Sequence, residues 1–231
     1  MKKIICILLN LVFTSSFAIS QYDASYALYA STDLGSVKVG NADFKLEFNG
    51  NNEFTFSSQS YTDSIWKKLY DYTRYEKSIG FLKDNRISGK LYDIVEIEKD
   101  EITKNNKILI NHNENFAIYN NSSKWETESN LIVDELNVYI ALALNLHNNP
   151  DQQEFSYHVI DEKGIQLINF FRLGEEIISI EDTDINSIKF SSPELKISIN
   201  VSKKYDYIPL IIERSSVSTR FRLVLNEYDP T

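Results

Sequence analysis

Cysteine is nearly absent from this chain: among 231 residues there is only Cys6, and it lies in an apolar run near the N-terminus without the small residues that a lipobox places before an acylated cysteine. Everything after it lacks a thiol, so disulfides, a cysteine nucleophile and thiolate metal sites are excluded there, and stability must come from packing and sheet hydrogen bonds. Histidine is almost as scarce. His112, His147 and His158 have no second histidine or thiol at a ligand spacing, so each is read as packed or capping, and His147 falls where a helix C-terminus would favour it. No metal and no cofactor is expected.

The seven glycines are scattered, with no phosphate-cradling cluster and no G-x-S-x-G elbow, which argues against nucleotide chemistry and against a serine hydrolase of that type. Asp182-Thr183-Asp184-Ile185-Asn186 opens like a calcium loop, but Ser187 stands where the turn needs Gly and Pro193 where a bidentate Glu belongs. It reads as an acidic turn. Basic residues are also in the minority, 24 against 33 acids for a net charge of −9, and they alternate with acids, as in Lys67, Lys68, Asp71, Arg74, Glu76, Lys77. Nucleic acid and anionic membrane surfaces both call for clustered Lys and Arg, so neither is an expected partner. Paired acids such as Glu175/Glu176 are read as solvated faces, since a catalytic carboxylate pair needs distances to be recognised.

The one long hydrophobic run is at the start. Lys2 and Lys3, the apolar Ile4–Phe13 and the small residues up to Ala18-Ile19-Ser20 have the layout of a secretory signal. Residues 1–20 are therefore expected to be removed, with the cut after Ser20 and Ala18 as second choice. The mature chain, 21–231, would be about two units more negative and would have no transmembrane span. A thiol-free secreted domain of this size suits the periplasm of a Gram-negative bacterium.

Period-two alternation dominates the rest. Ala42, Phe44, Leu46 and Phe48 oppose Asp43, Lys45 and Glu47, the turn cluster Asn49–Asn52 follows, and Phe54 and Phe56 resume the pattern, which predicts a hairpin over 37–60. Similar runs separated by short polar turns predict an antiparallel meander of about ten to thirteen strands. The exception is 134–147, where Asp134 can cap and Leu136, Tyr139, Ile140 and Ala143 recur at helical spacing, with Val138, Leu142 and Leu146 on the flank. So apolar a helix needs cover on most sides. The expected fold is mainly β: a single curved antiparallel sheet or half-open barrel with one helix against its concave face. Residues 64–72 fit helix and strand equally. The aromatics, 14 Tyr, 13 Phe and 2 Trp, fit both a core and an aromatic-lined cleft.

Several segments together resemble a bacterial periplasmic family: Tyr26-x-Leu28-Tyr29, then Gly35-x-x-x-x-Gly40-Asn41-Ala42-x-Phe44, a strand pair over 107–119, a helix after Asp134, Phe171-x-x-Gly174-Glu175-Glu176, and Tyr207-Ile208-Pro209-Leu210-x-Ile212-Glu213. They are similar to the family known as domain of unknown function 3108 (DUF3108). Where such proteins often carry a Trp before the Tyr-x-x-Pro segment, this chain has Ile197, Ile199 and Val201. The resemblance implies a cell-envelope protein of mostly antiparallel β structure with no established reaction, shaped like the half-open barrels of periplasmic lipoprotein carriers.

Three functions follow as expectations. The first is a non-catalytic envelope protein binding an apolar or lipid-like ligand in the half-open barrel, with Tyr26, Phe44, Leu46, Tyr139, Ile140 and Leu144 as the ligand-binding residues and no catalytic residues. The second is an envelope scaffold that binds a protein partner and has a filled core. The third is a carboxylate-dependent hydrolase, which needs two acids, or a His and an acid, to converge in a cleft. The sequence does not specify an oligomeric state.

Overall fold

The computed structural model describes residues 19–231 apart from 33–34, 51, 84, 128–130 and 217–218. Of the expected signal segment, residues 1–18, including Cys6, lie outside the described residues. The first half of the chain is an up-and-down run: β1 (Tyr22–Thr32), β2 (Gly35–Phe48), β3 (Glu53–Thr62), a short helix α1 (Ser64–Leu69), β4 (Tyr72–Lys83), β5 (Arg86–Glu98), β6 (Glu101–Asn111), β7 (Phe116–Tyr119) and β8 (Ser123–Glu126). The second half is β9 (Ile132–Asp134), the helix α2 (Asn137–Asn148), β10 (Glu154–Asp161), β11 (Gly164–Ile180), β12 (Thr183–Ser192), β13 (Ile197–Val201), β14 (Pro209–Ser215) and β15 (Arg220–Pro230).

These strands form one 15-stranded sheet in the order β8-β7-β6-β5-β4-β3-β2-β1-β15-β14-β13-β12-β11-β10-β9, so the two halves meet where β1 pairs with β15. The expected hairpin is present, with Phe44 opposite Ser58 and Leu46 opposite Phe56, and Gly50 (φ 81°) and Asn52 (φ 62°) supply the left-handed turn residues. The count exceeds the expected ten to thirteen because β8 and β9 are short and lack apolar alternation. All pairings are antiparallel except β9 with β10, where His158 lies beside Ile132 and Ile160 beside Asp134 in parallel. The longest strand, β11, is kinked by a bulge at Arg172/Gly174, where Gly174 takes φ 145°.

The sheet curls but does not close: its ladder ends at β8 and β9. The two ends still approach. Lys104 on β6 pairs with Glu162 in the β10–β11 turn at 2.6 Å, and Asn106 donates to the same carboxylate at 3.0 Å. Gly89 on β5 admits the close pass of β9, since a Cβ there would lie 3.2 Å from the Ile132 carbonyl oxygen. Within the curl sits α2, with Val138, Ile140–Leu144 and Leu146 all buried. It begins three residues later than the expected 134, because Asp134 belongs to β9 and caps from outside the helix. The core around it is aromatic on the β1–β3 side, where Tyr26 stacks at a tilt on Phe44 (4.9 Å) and Phe44 on Phe56 (5.9 Å). No helix among the described residues is long and apolar enough to cross a membrane.

Candidate functional site

The helix fills only part of the curl. Beyond its N-terminus, one end of the concave face encloses a cavity of about 600 Å³, within the range of small-ligand sites. Its walls are the inward side chains at one end of seven strands: Leu28 and Ala30 of β1, Val39 and Phe44 of β2, Ser60 and Thr62 of β3, Tyr72, Arg74 and Glu76 of β4, and Glu96 and Glu98 of β5, with Ile212 and Arg214 of β14 and Phe221 and Leu223 of β15 closing the other side. Glu135, Leu136 and Tyr139 form the floor, and Trp66 and Tyr70, from α1 and the residue after it, stand at the mouth. The short helix α1 leaves apolar side chains outside the core: Ile65 is 64% and Leu69 67% exposed. Tyr70 stacks on Tyr72 with ring centroids 5.9 Å apart and planes 9° from parallel.

The charged groups of this cavity form a linked cluster. Arg74, with a side chain 21% exposed, binds Glu76 at 2.9 Å and also Glu96. Glu76 accepts from the Tyr92 hydroxyl and, at 3.4 Å, from Ser58. Burial works to raise the Glu76 pKa, but the hydrogen bonds and charge of Arg74, with the Tyr92 hydroxyl, outweigh it and hold the carboxyl below its ordinary value. On the floor, Arg214 reaches Glu135 at 3.5 Å. Tyr72 and Tyr139 are pushed up to about 12, chiefly by burial, so both phenols are neutral near pH 7.

Beneath the floor lies Asp134, fully buried. It accepts from the backbone N–H groups of Leu136 (3.0 Å) and Asn137 (2.8 Å), from Asn137 Nδ2 (2.9 Å) and from the Ser78 hydroxyl, tying β4 to the start of α2. Burial pushes its pKa up to about 7, against the pull of those donors and with a smaller push from the charge of Glu76.

Of the six residues expected to bind ligand, Phe44 and Tyr139 line this cavity. Tyr26, Leu46 and Ile140 are packed in the core, and the Tyr26 hydroxyl donates to the Pro209 carbonyl at 2.7 Å. Leu144 borders a separate cleft of about 330 Å³ with Ala141, Tyr157 and His158. Sequence reasoning missed Arg74, Glu76 and Glu96, and left the mouth residues Trp66 and Tyr70 among the aromatics that fit a core or a cleft without assigning them to the ligand. Strand parity was the available signal: Leu82, Gly80 and Ser78 point inward, and the same register carries Glu76 and Arg74 inside. His112 shares its Nε2 between Ser88 Oγ (2.8 Å) and the Gly89 carbonyl (2.6 Å), and His147 packs edge-on against Tyr207 at 5.0 Å. Both are packed, as expected, whereas His158 is exposed on β10; of 182–186 only Asp182 belongs to a turn, with Glu181 before it, and Thr183–Asn186 already belong to β12.

No family model and no curated protein sequence matches the chain. Among solved structures it is similar to a β-barrel-like protein of the domain of unknown function DUF1849 from Brucella abortus, with a TM-score of 0.63 at 9% identity over 94% of this chain and 100% of that one. A DUF1329 family protein from Desulfovibrio piger also aligns, over 92% of this chain and 86% of that one, at 6% identity and a TM-score of 0.35. At such identities the first likeness shows the fold alone: a β-barrel-like architecture shared with a domain of unknown function.

Proposed function

We propose that this is a non-catalytic protein of the bacterial cell envelope that binds an apolar or lipid-like ligand in the cavity at the N-terminal end of α2. One observation carries the reading: a sheet that encloses a helix along part of its concave face leaves the remainder as an open, largely apolar space of ligand size. Its acids support binding over catalysis. Glu76 and Glu96 are both engaged by Arg74, and Asp134, the carboxyl pushed to about 7, is sealed under the floor rather than exposed to the cavity. The resemblance to DUF3108 and a periplasmic location belong to the same proposal, carried by the motifs and the leader-like segment described above.

Binding is tested with the neutral fluorescent probe N-phenylnaphthylamine, whose emission rises in apolar surroundings. Saturable enhancement is expected with the wild type. Ala30→Trp, which places an indole in the cavity, is expected to weaken probe binding by about tenfold or more. Equal binding by both proteins would place the probe elsewhere and sink the assignment of the cavity.

Export carries its own prediction. Ile19 is 2% exposed and belongs to the core, which supports a cut after Ala18, the second choice from sequence, over one after Ser20. Losing a buried isoleucine costs about 2–4 kcal/mol. The intact mass of exported protein should correspond to a chain starting at Ile19. A start at Gln21 would show that Ile19 is dispensable to the mature fold.

A second reading, a scaffold that docks a protein partner, draws on β11. Its pairing with β10 ends at Phe171, and Leu173 and Ile177 beyond that point are 61% and 69% exposed. Under this reading Ile177→Lys would disrupt complex formation without changing probe binding, as read by co-purification from envelope extracts.

A further inference from the structure

Resting on the cavity reading, we propose that the cavity selects for a positively charged amphiphile, an apolar body bearing an amine or quaternary ammonium group, and discriminates against fatty acids and other anionic lipids. An anion-binding site needs positive charge in excess, and neither arginine supplies it, since each already faces carboxylate. Arg74 is held between Glu76 and Glu96, and Arg214 is engaged by Glu135. Around the space there are four carboxylates, Glu76, Glu96, Glu98 and Glu135, against these two guanidinium groups. The residual charge is therefore negative, in a setting whose low polarity strengthens it relative to water.

The aromatic residues reinforce that sign. Trp66, Tyr70, Tyr72, Tyr139 and Phe221 all border the same space, and π faces attract cations, quaternary ammonium above all. Tyr70 and Glu98 border the same space, so the stacked pair that Tyr70 forms with Tyr72 brings aromatic surface and a carboxylate together at the mouth. Lysine does not offset this: none of the described lysines lines the cavity, and Lys67 and Lys68 of α1 are exposed. The ligand's apolar body would lie along Leu28, Val39, Phe44, Ile212 and Leu223, with its cationic end towards Glu98 and the aromatic mouth.

The experiment displaces N-phenylnaphthylamine from the protein with two amphiphiles of equal chain length and opposite charge, dodecyltrimethylammonium and dodecanoate, at pH 7 and low salt. The readout is the ratio of the two affinities, which is insensitive to a loss of binding common to both. The wild type is expected to prefer the cation by about tenfold or more, with the preference shrinking as salt screens the site. The double substitution Glu98→Gln with Glu135→Gln balances the remaining charges and should bring the ratio towards unity, whereas Arg214→Gln should raise it. Should the neutral probe bind while dodecanoate competes as well as or better than the cation, the charge selection is wrong and the apolar cavity stands. Should the probe not bind at all, the cavity reading fails and this inference falls with it.

Discussion

Ile140→Asp is expected to cost about 4 kcal/mol or more and to leave little folded protein at 37 °C. Ile140 is 3% exposed and flanked on α2 by Val138, Ala141, Leu142, Ala143 and Leu144, all buried. The substitution removes a packed side chain and puts a carboxylate into the buried apolar cluster, where the charge must either stay unpaired or take up a proton. A domain of this size has a total stability of about 5–15 kcal/mol, so one such change consumes much of it. Urea unfolding checks the size, with Ile140→Val as a control expected to cost only about 1 kcal/mol. If α2 were a movable lid, Ile140→Asp would shift the melting temperature little and change apolar-probe binding more. A variant that neither unfolds nor alters probe binding would count against helix-as-core and helix-as-lid together.

Asp134→Ala is expected to cost about 3 kcal/mol, because four donors lose their acceptor at once: the N–H groups of Leu136 and Asn137, the Asn137 amide and the Ser78 hydroxyl. Leaving even one buried donor unsatisfied costs about 1–3 kcal/mol, and local relaxation or entering water recovers part of the total. The same carboxyl sets a pH signature. With an ordinary pKa of 3.8 raised to about 7 in the folded protein, the native state holds a proton between those values that the unfolded chain has released. Stability from this group is therefore full below about pH 4, falls as pH rises through 7, and levels off above it. Glu76 acts oppositely: its pKa is lowered from 4.5, so its contribution is present above that value and is lost on further acidification. Asp134→Asn keeps an acceptor but removes the titration, so its stability should be flatter than that of the wild type between pH 5 and 8 by thermal melts. Parallel profiles for the two proteins would show that the buried carboxyl is ionised throughout.

The strands that sequence reveals are those with one wet and one dry face. Phe44 and Leu46 alternate with Asp43 and Lys45, so β2 is legible, and the clustered apolar spacing of 136–146 marks α2. What escapes is set by contacts between distant segments. Nothing local marks Ile132–Asp134 as a strand; it becomes one because Gly89 lets it lie against β5 and because β10 offers a parallel partner. The seam at β1 and β15 joins the two ends of the chain and leaves no short-range trace.

The candidate site was half legible for the same reason. Phe44, Leu46, Tyr26 and Ile140 are indistinguishable as inward apolar residues, and only the point where α2 begins decides that Phe44 faces open space while Leu46 and Ile140 are covered. The Arg74–Glu76–Glu96 cluster escapes because interleaved acids and bases look solvated until strand parity is carried along from Leu82. Trp66 and Tyr70 escaped because 64–72 has no dominant period, and the six-residue helix α1 owes its position to the ends of β3 and β4 rather than to a buried face of its own.

Native mass spectrometry of the protein, isolated without denaturant from the cells that make it, tests the central claim most directly. The cavity account predicts a small-molecule adduct on the wild type that organic solvent strips away and that is absent from Ala30→Trp. A bare polypeptide mass for both proteins, together with no N-phenylnaphthylamine enhancement by the wild type, would contradict it.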